Sequence, residues 1–437
     1  MNFELLFAKA KAKGIEDVQV FLVNRSELSI EVFSGEVDKY EIADTASLSI
    51  KGVYNKKLAT VTTEDLRDAR IDELVDNLIQ NASIIDSLDE AIIYAGDPKY
   101  ETLEGAYQPE LANLDVAKKI AMVKDLDKLF HSADPRITIA ETMYSETTRS
   151  VLLQNTKGLK LENKVNTAML GGSIIAKDES DQRTGFDLVI TNELSDMDLP
   201  KLACELVSDV VKKLGAKPIP SKSYEILFRN DAFATLMSAF SGVFSAEAVQ
   251  KNMSLLKGKL NAEIGSPLFT LADDPFLKKS PRSRSFDDEG VATSYKEVVK
   301  NGVLTTYLHN LTTAKKDGVS STGNASGTSV ASINFVVQPG KHSLEELLAS
   351  IVDGILITDL QGAHAGANPV SGDFSLQASG FVVENGKIGK PVALITVAGN
   401  FIGMLKDIVA VGNDLKSSYY GITSPSIKIR SMAVAGI

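Results

Sequence analysis

Two short stretches concentrate the residue types that do chemistry. In SFDDEGVATSYKEVVKNG (285–302), Asp287, Asp288 and Glu289 stand side by side before Gly290. Adjacent carboxylates can bind a cation, receive a peptide amino terminus, or build a solvated turn into a strand. In LQGAHAGANPVSGDFSLQASG (360–380), His364, Asn368, Ser371 and Asp373 lie among Gly362, Gly366, Gly372 and Gly380. Serine, histidine and aspartate are the residue types of a hydrolase triad, but Ser371 lacks the G-x-S-x-G setting of a nucleophile elbow. Such a loop can also lie with its backbone against an extended peptide or another subunit, or serve as plain structural turns.

The other searches exclude more than they find. There is no G-x-x-x-x-G-K-[ST] phosphate loop, no cysteine pair at zinc spacing and no H-E-x-x-H. His131, His309 and His342 are scattered, and His131 and His342 read as surface residues. Cys204 is the single cysteine, so no intrachain disulfide forms; it reads as a buried structural thiol in a reducing compartment. With 46 basic and 57 acidic residues the net charge is −11, which argues against a nucleic-acid partner. The densest basic cluster, KKSPRSR (278–284), reads as a solvated loop. No apolar run approaches the ~18 residues of a membrane span, and the first residues lack the h-region of a signal peptide. A cytoplasmic location without membrane contact is expected.

These stretches need a scaffold, and apolar periodicity supplies one. A helix over 2–13 is closed by Gly14. Alternating runs follow at 18–25, 28–33, 37–43, 47–52 and 58–63, with turns at Ser34-Gly35-Glu36 and Tyr54-Asn55-Lys56, an antiparallel meander. A helix from about Glu64 to Ala82 completes this unit. Residues 83–113 read as a long connection. A second unit has a helix at 115–132, strands near 137–154, 158–176 and 184–193, and a helix at 198–214. Beyond the stiff 216–220 segment, a strand YEILFR leads into a helix from Asn230 to Lys251, capped by Asn230 or Asp231. Its residues Phe233, Leu236, Met237, Phe240, Val243 and Phe244 share one apolar face. The remainder is Gly-rich with many short strands, a helix at 343–351 and a hairpin turn at Asn385-Gly386. The fold class is α+β: an N-terminal α+β unit (1–84), a linker (85–113), a middle α+β unit (114–216) and a largely antiparallel β domain around a buried helix (217–437).

At 362–389, GAHAGANPVSGDFSLQASGFVVENGKIG closely resembles the C-terminal signature of the TldD/PmbA (TldE) family, also described as modulators of DNA gyrase. SGEVDKYE, FDDEG, NGVLTTYLHN and VGNDLKSSYYGITSPSIKI extend the resemblance over essentially the full length. The resemblance implies a zinc peptidase in the TldD branch, with H-E-x-x-x-H on a helix and a Cys near the C-terminus. Placed on this chain, the first His falls at Met237, the Glu at Ser238 and the second His at Gly242, none of which can serve zinc in that role. The Cys-bearing loop falls between Asp414 and Ser424, where LKSSYYGIT has no Cys. Ligands five residues apart stand about 140° around an ideal helix, so a metal site there would distort it; here the positions continue the apolar pattern.

The chain therefore resembles the TldE/PmbA branch, a non-catalytic subunit without catalytic or metal residues of its own. The resemblance implies a TldD-type paralogue that carries the zinc and an extended peptide or unfolded protein as substrate. Asp288, Glu289, His364, Asn368, Ser371 and Asp373 are the expected substrate or partner contacts. A self-associating scaffold, with a homodimer in the absence of the partner, is the alternative of a different class. A hydrolase built on His364, Ser371 and Asp373 and direct DNA binding are the other two.

Overall fold

The computed structural model of the chain describes residues 1–86, 89 and 91–437. After a helix, Phe3–Ala12, come β1 (Val18–Phe33), β2 (Glu36–Tyr54) and β3 (Lys57–Thr63). Their turns, Ser34-Gly35 and Asn55-Lys56, have φ of 52°, 79°, 49° and 62°, as type I′ hairpins require. The five predicted runs are thus three long strands. The polar residues between them do not interrupt the ladder, because Arg25↔Thr45 and Ser26↔Asp44 stay in register. The predicted helix after them starts later, at Ile71–Ile84.

A helix, Val116–Ala133, then precedes β4 (Ile137–Asn155), β5 (Lys160–Lys177) and β6 (Gln182–Thr191), and Leu199–Val211 is helical. β1 pairs with β4 along nearly its whole length, so the N-terminal and middle stretches share one antiparallel sheet in the order β3-β2-β1-β4-β5-β6. The helices cover one face. Val20, Ile50, Leu74 and Leu78 fill one end of that layer, and Ile30, Phe130, Tyr144, Leu170 and Leu206 the other. Cys204 is exposed, against the expectation of a buried thiol. The inward residues of its helix are Leu202, Ala203, Leu206, Val207 and Val210, which puts position 204 out of phase.

The C-terminal stretch opens with β7 (Lys222–Phe228), β8 (Leu271–Asp273), β9 (Lys296–Lys300) and β10 (Val303–Leu304). β11 (Ala325–Ser326), β12 (Ser329–Val330) and β13 (Phe335–Val337) come next, followed by β14 (Asp353–Gln361), β15 (Asp373–Glu384) and β16 (Lys387–Asn400). The last are β17 (Ile408–Val411), β18 (Lys416–Ser417), β19 (Ile422–Ser424) and β20 (Ile427–Ala435). β16-β15-β14-β7-β20 is a barrel, closed where Thr396–Ala398 of β16 meets Ala433–Ala435 of β20. Asn385 and Gly386, at φ 49° and 77°, make the predicted hairpin turn. A second sheet runs β10-β9-β8-β13-β19-β18.

The predicted spine helix lies between barrel and second sheet. Phe240 stacks on Phe401 at 4.3 Å and meets Phe374 edge-on, and Phe244 meets Phe335 at 5.4 Å. Each fully buried Phe contributes about 1.5–3 kcal/mol of transfer free energy, so this cluster ties the two sheets together. The helix is not continuous to Lys251. It is α-helical over Asn230–Phe240, 3₁₀ over Ser241–Phe244, and resumes at Ala246–Gln250. The break is tertiary: Ala246 N–H donates to the Leu308 carbonyl and Leu308 N–H to that of Phe244. Neither Asn230 nor Asp231 is the N-cap; Arg229 occupies that position without a side-chain cap.

Candidate functional site

A cleft of about 560 Å³ opens between the outer edge of β6 and the barrel. A continuous run of β6, 182–188, forms one wall. The start of the spine helix forms the floor, and the β16 bulge and the 416–420 loop form the other walls. Among the described residues β6 pairs only with β5, so this wall is a free strand edge that an extended chain can join by main-chain hydrogen bonds.

Charge organises the floor. Arg229 donates from Nη1 to Asp209 Oδ1 at 2.8 Å, from Nη2 to Asp231 Oδ2 at 2.7 Å and to the Thr358 carbonyl at 3.2 Å. Burial opposes the Arg229 charge, but Asp231 and Asp209 outweigh it and push its pKa up. Burial likewise would raise Asp209, yet Arg229 and Lys213 together hold its carboxyl below the usual range. Lys416 pairs with Asp187 at 2.9 Å and so ties the 416–420 loop to β6. Asp187 also accepts the Leu188 N–H at 2.9 Å, capping one donor of the strand.

The opposite wall holds the one backbone position of the cleft that costs energy. Leu394 has φ 56°, where a Cβ crowds the carbonyl, and its side chain is 67% exposed. Ala393 and Leu394 together face Ser379 alone, a β-bulge that turns Leu394 into the cleft. Tyr419 and Tyr420, both exposed, line the rim beside Phe186.

The three positions matched to the zinc motif do not fit a metal. Met237 is fully buried in the apolar core. Ser238 Oγ donates to the Thr235 carbonyl at 2.7 Å, and Gly242 has no side chain. Thioether, back-bonded hydroxyl and bare backbone are not a zinc donor set. Among the described residues, no three His, Cys, Asp or Glu side chains converge as a metal site. The 414–424 loop reaches the cleft through Lys416, Tyr419 and Tyr420, anchored by Asp414, which accepts Ser426 N–H at 2.8 Å and Ser426 Oγ–H at 2.7 Å.

The structure separates the remaining candidates. Asp287, Asp288 and Glu289 lie in a joint between the first sheet and the C-terminal stretch. Gln19 Nε2 donates to the Asp288 carbonyl at 3.3 Å, and Tyr100 Oη to that of Gly290 at 2.7 Å. Asp288 pairs with Arg284 at 3.0 Å and accepts the Gly327 N–H; Glu289 accepts the Leu311 N–H at 2.8 Å. Asp287 accepts N–H groups of Glu289, Val291 and Ala325, yet burial pushes it up to about 7. The basic 278–284 segment is not a solvated loop throughout, since Ser283 is buried and Arg284 is held in this joint.

His364, Asn368, Ser371 and Asp373 share a different loop, outside the cleft lining. Asn368 Oδ1 accepts the Val370 and Ser371 N–H groups, and Asn400 Nδ2 donates to Asp373 Oδ1 at 3.0 Å. Among the described residues, no hydrogen bond joins His364 to Ser371 or Asp373, so no triad is assembled. Sequence reasoning missed Arg229, Asp209 and Leu394. Periodicity treats the first two as ordinary polar positions, and nothing in a leucine's neighbours announces a positive φ.

The fold and all three divisions of the chain have known counterparts. Descriptions of the PmbA/TldA metallopeptidase match residues 18–82 (domain 1), 109–215 (central domain) and 221–436 (C-terminal domain). A metalloprotease PmbA homologue of Haemophilus influenzae is 28% identical, with 97% of this chain and 93% of that one covered. The crystal structure described as a putative modulator of a DNA gyrase from Thermotoga maritima is 35% identical, with a TM-score of 0.93 and 99% of each chain covered. TldE from Thermococcus kodakarensis, at 23% identity and TM-score 0.91 over 99% of this chain and all of that one (100%), shares the fold. With its sequence and its closed C-terminal barrel matched end to end, the chain belongs to the PmbA/TldA metallopeptidase family.

Proposed function

We propose that this chain is a non-catalytic, TldE-type subunit of a TldD/TldE-type metalloprotease. It holds an extended peptide or unfolded segment in the β6 cleft, while zinc and bond cleavage belong to a TldD-type paralogue. The observation that carries this reading is the coincidence of two features: a free strand edge lining a cleft, and a helix beneath it whose motif positions are Met237, Ser238 and Gly242. The edge would supply sequence-independent main-chain hydrogen bonds, and the pockets beside it, around Phe186, Leu394 and Tyr420, would take alternate side chains. Arg229, already shared between two aspartates, keeps the floor rigid rather than reacting. The Gly-rich loop with His364 and Ser371 is the neighbouring surface for the partner.

Metal content and cleavage of an unstructured substrate such as casein test this directly, on the chain alone and with its TldD-type paralogue. The expected result is no stoichiometric zinc and no cleavage alone, and cleavage with the paralogue that exceeds the paralogue's own. Stoichiometric metal, or cleavage by the lone chain, overturns the reading.

A further inference from the structure

The charges that line the β6 cleft do not cancel pair by pair. Its cations are Arg183, Lys213, Arg229 and Lys416, and each is already engaged. Lys416 is held by Asp187 at 2.9 Å and Lys213 by Asp209 at 2.8 Å. Arg183 is held at 2.7 Å by Asp181, which lies outside the lining, and Arg229 is divided between Asp209 and Asp231. Asp359, the remaining carboxylate of the lining, has no ion pair among the described residues. Its side-chain partner is the Gln361 amide, whose Nε2 donates to Oδ2 at 3.0 Å. The floor therefore sets two cations, Arg229 and Lys213, against the three carboxylates Asp209, Asp231 and Asp359.

A bulge puts Asp359 there. In β14, Ile357 faces Gly380 and Asp359 faces Ser379, so Thr358 is an extra residue in the strand. Without it, Asp359 would share the inward side of Ile357, which is fully buried; with it, the carboxylate turns outward into the cleft. Ser379 meets the bulge at Ala393 and Leu394 on its other side. Two neighbouring bulges thus present one carboxylate and one leucine to the same space. The extra residue adds a second unmet demand: Thr358 lines the cleft, is 4% exposed, and its Oγ1 has no hydrogen-bond partner. A carboxylate without a cation and a hydroxyl without a partner, adjacent in the chain, call for a group rich in N–H donors. The exposed rings of Phe186, Tyr419 and Tyr420 line the same cleft, and ring faces attract cations and not anions.

We propose that Asp359 sets the specificity of the cleft: the extended peptide it takes carries an ammonium or guanidinium group at this position. A lysine or arginine side chain supplies that chemistry, and so does a free amino terminus. The inference rests on the reading of the cleft as a peptide site and names the class of peptide.

Fluorescence anisotropy of the full chain with labelled, unstructured peptides is the test. The peptides share one Gly/Ser/Val sequence, acetylated at the amino terminus and labelled at the other end, with Lys, Arg, Gln or Glu at the centre. A further Gln peptide keeps its amino terminus free. The expected result is binding about fivefold tighter for Lys or Arg than for Gln, the worth of one part-exposed ion pair, and weaker still for Glu. Asp359→Asn brings the Lys, Arg and Gln peptides to one affinity, and Asp359→Lys reverses the order in favour of Glu. Where the amino terminus is the occupant, the free-amine Gln peptide shows the fivefold gain instead and loses it in Asp359→Asn. Peptides bound without regard to charge overturn this inference and leave the cleft reading standing. So does a preference that Glu110→Gln lowers as much as Asp359→Asn, because Glu110 is an exposed acid outside the lining and overall acidity would then explain it. No binding by any peptide overturns the cleft reading and this inference together.

Discussion

The first sheet has two free edges, and they are built oppositely. β6 is roofed by the barrel, so its edge lines a cleft with a charged floor and aromatic rim. One of its donors is capped by Asp187, itself held by Lys416. The distal half of β2 is mostly exposed, with both charge signs interleaved and, among the described residues, no strand on its outer side. An enclosed edge admits one extended strand at a time, whereas the open edge of β2 is broken by a bulge at Asp38, where the register on β1 shifts, and such a bulge blunts an edge against pairing. The same backbone chemistry meets different surroundings at the two edges.

The sharpest break in this contrast is Arg229→Met. It leaves Asp209 and Asp231 half-buried without their shared cation, although Lys213 still pairs with Asp209 at 2.8 Å. Stripping one partner from a fully buried pair costs 3–5 kcal/mol; with partial exposure here, about 2–3 kcal/mol is expected in urea unfolding. Support of cleavage should fall with it. Cleavage support unchanged in the face of the lost stability would detach the charged floor from substrate holding.

Gly185→Val probes how β6 is seated. A Cβ at Gly185 would lie 2.1 Å from Val210 Cγ2 of the covering helix. Such overpacking costs about 1–3 kcal/mol, and it displaces the strand whose outer edge forms the cleft wall. Weaker peptide binding, measured by fluorescence anisotropy of a labelled unstructured peptide, is expected alongside the lost stability.

Much of this architecture is readable from residue order. Hairpin turns at Gly35, Asn55 and Asn385, the apolar face of the spine helix and the β-rich C-terminal stretch follow from local rules that the tertiary structure leaves intact, whereas the phase of the helix bearing Cys204 does not. What is not local is not readable. Nothing in Arg25 or Thr45 says that a strand continues through a polar stretch, since the ladder is set by the partner. Similarly, the spine helix breaks at Ser245 because Leu308 pairs there, not because of its own sequence. The acids at 287–289 read by composition as a solvated turn or a site for a cation or amino terminus; burial and backbone donors make them a joint instead. The cleft itself unites positions from 182 to 420, an adjacency only the fold creates.

That joint connects the sheet bearing both edges to the barrel, and its titration tests how firmly. Burial raises Asp287 to about 7, above the unfolded value of about 3.9, and raises Glu289 as well. A carboxyl whose folded pKa is raised binds its proton more tightly in the native state. Its stabilisation is therefore complete below about pH 4 and is lost as pH climbs through 7. Between pH 5 and 8 the thermal midpoint should decline, and Asp287→Asn should flatten that slope while lowering stability overall through one lost amide acceptor. An unchanged slope in the variant would assign the titration elsewhere.

The smallest effect is the most specific to the cleft. Leu394 holds a left-handed backbone that costs about 1–2 kcal/mol for a residue with a Cβ, and its exposed side chain recovers little of that by packing. Glycine removes the strain but adds freedom to the unfolded chain, so Leu394→Gly should stabilise by about 0.5–1 kcal/mol. If the bulge exists to present this side chain to a peptide, the more stable variant binds the unstructured peptide less well. Stability gained without any loss of binding would make the bulge a feature of barrel closure alone, and the cleft would then rest on the β6 edge and the rim tyrosines.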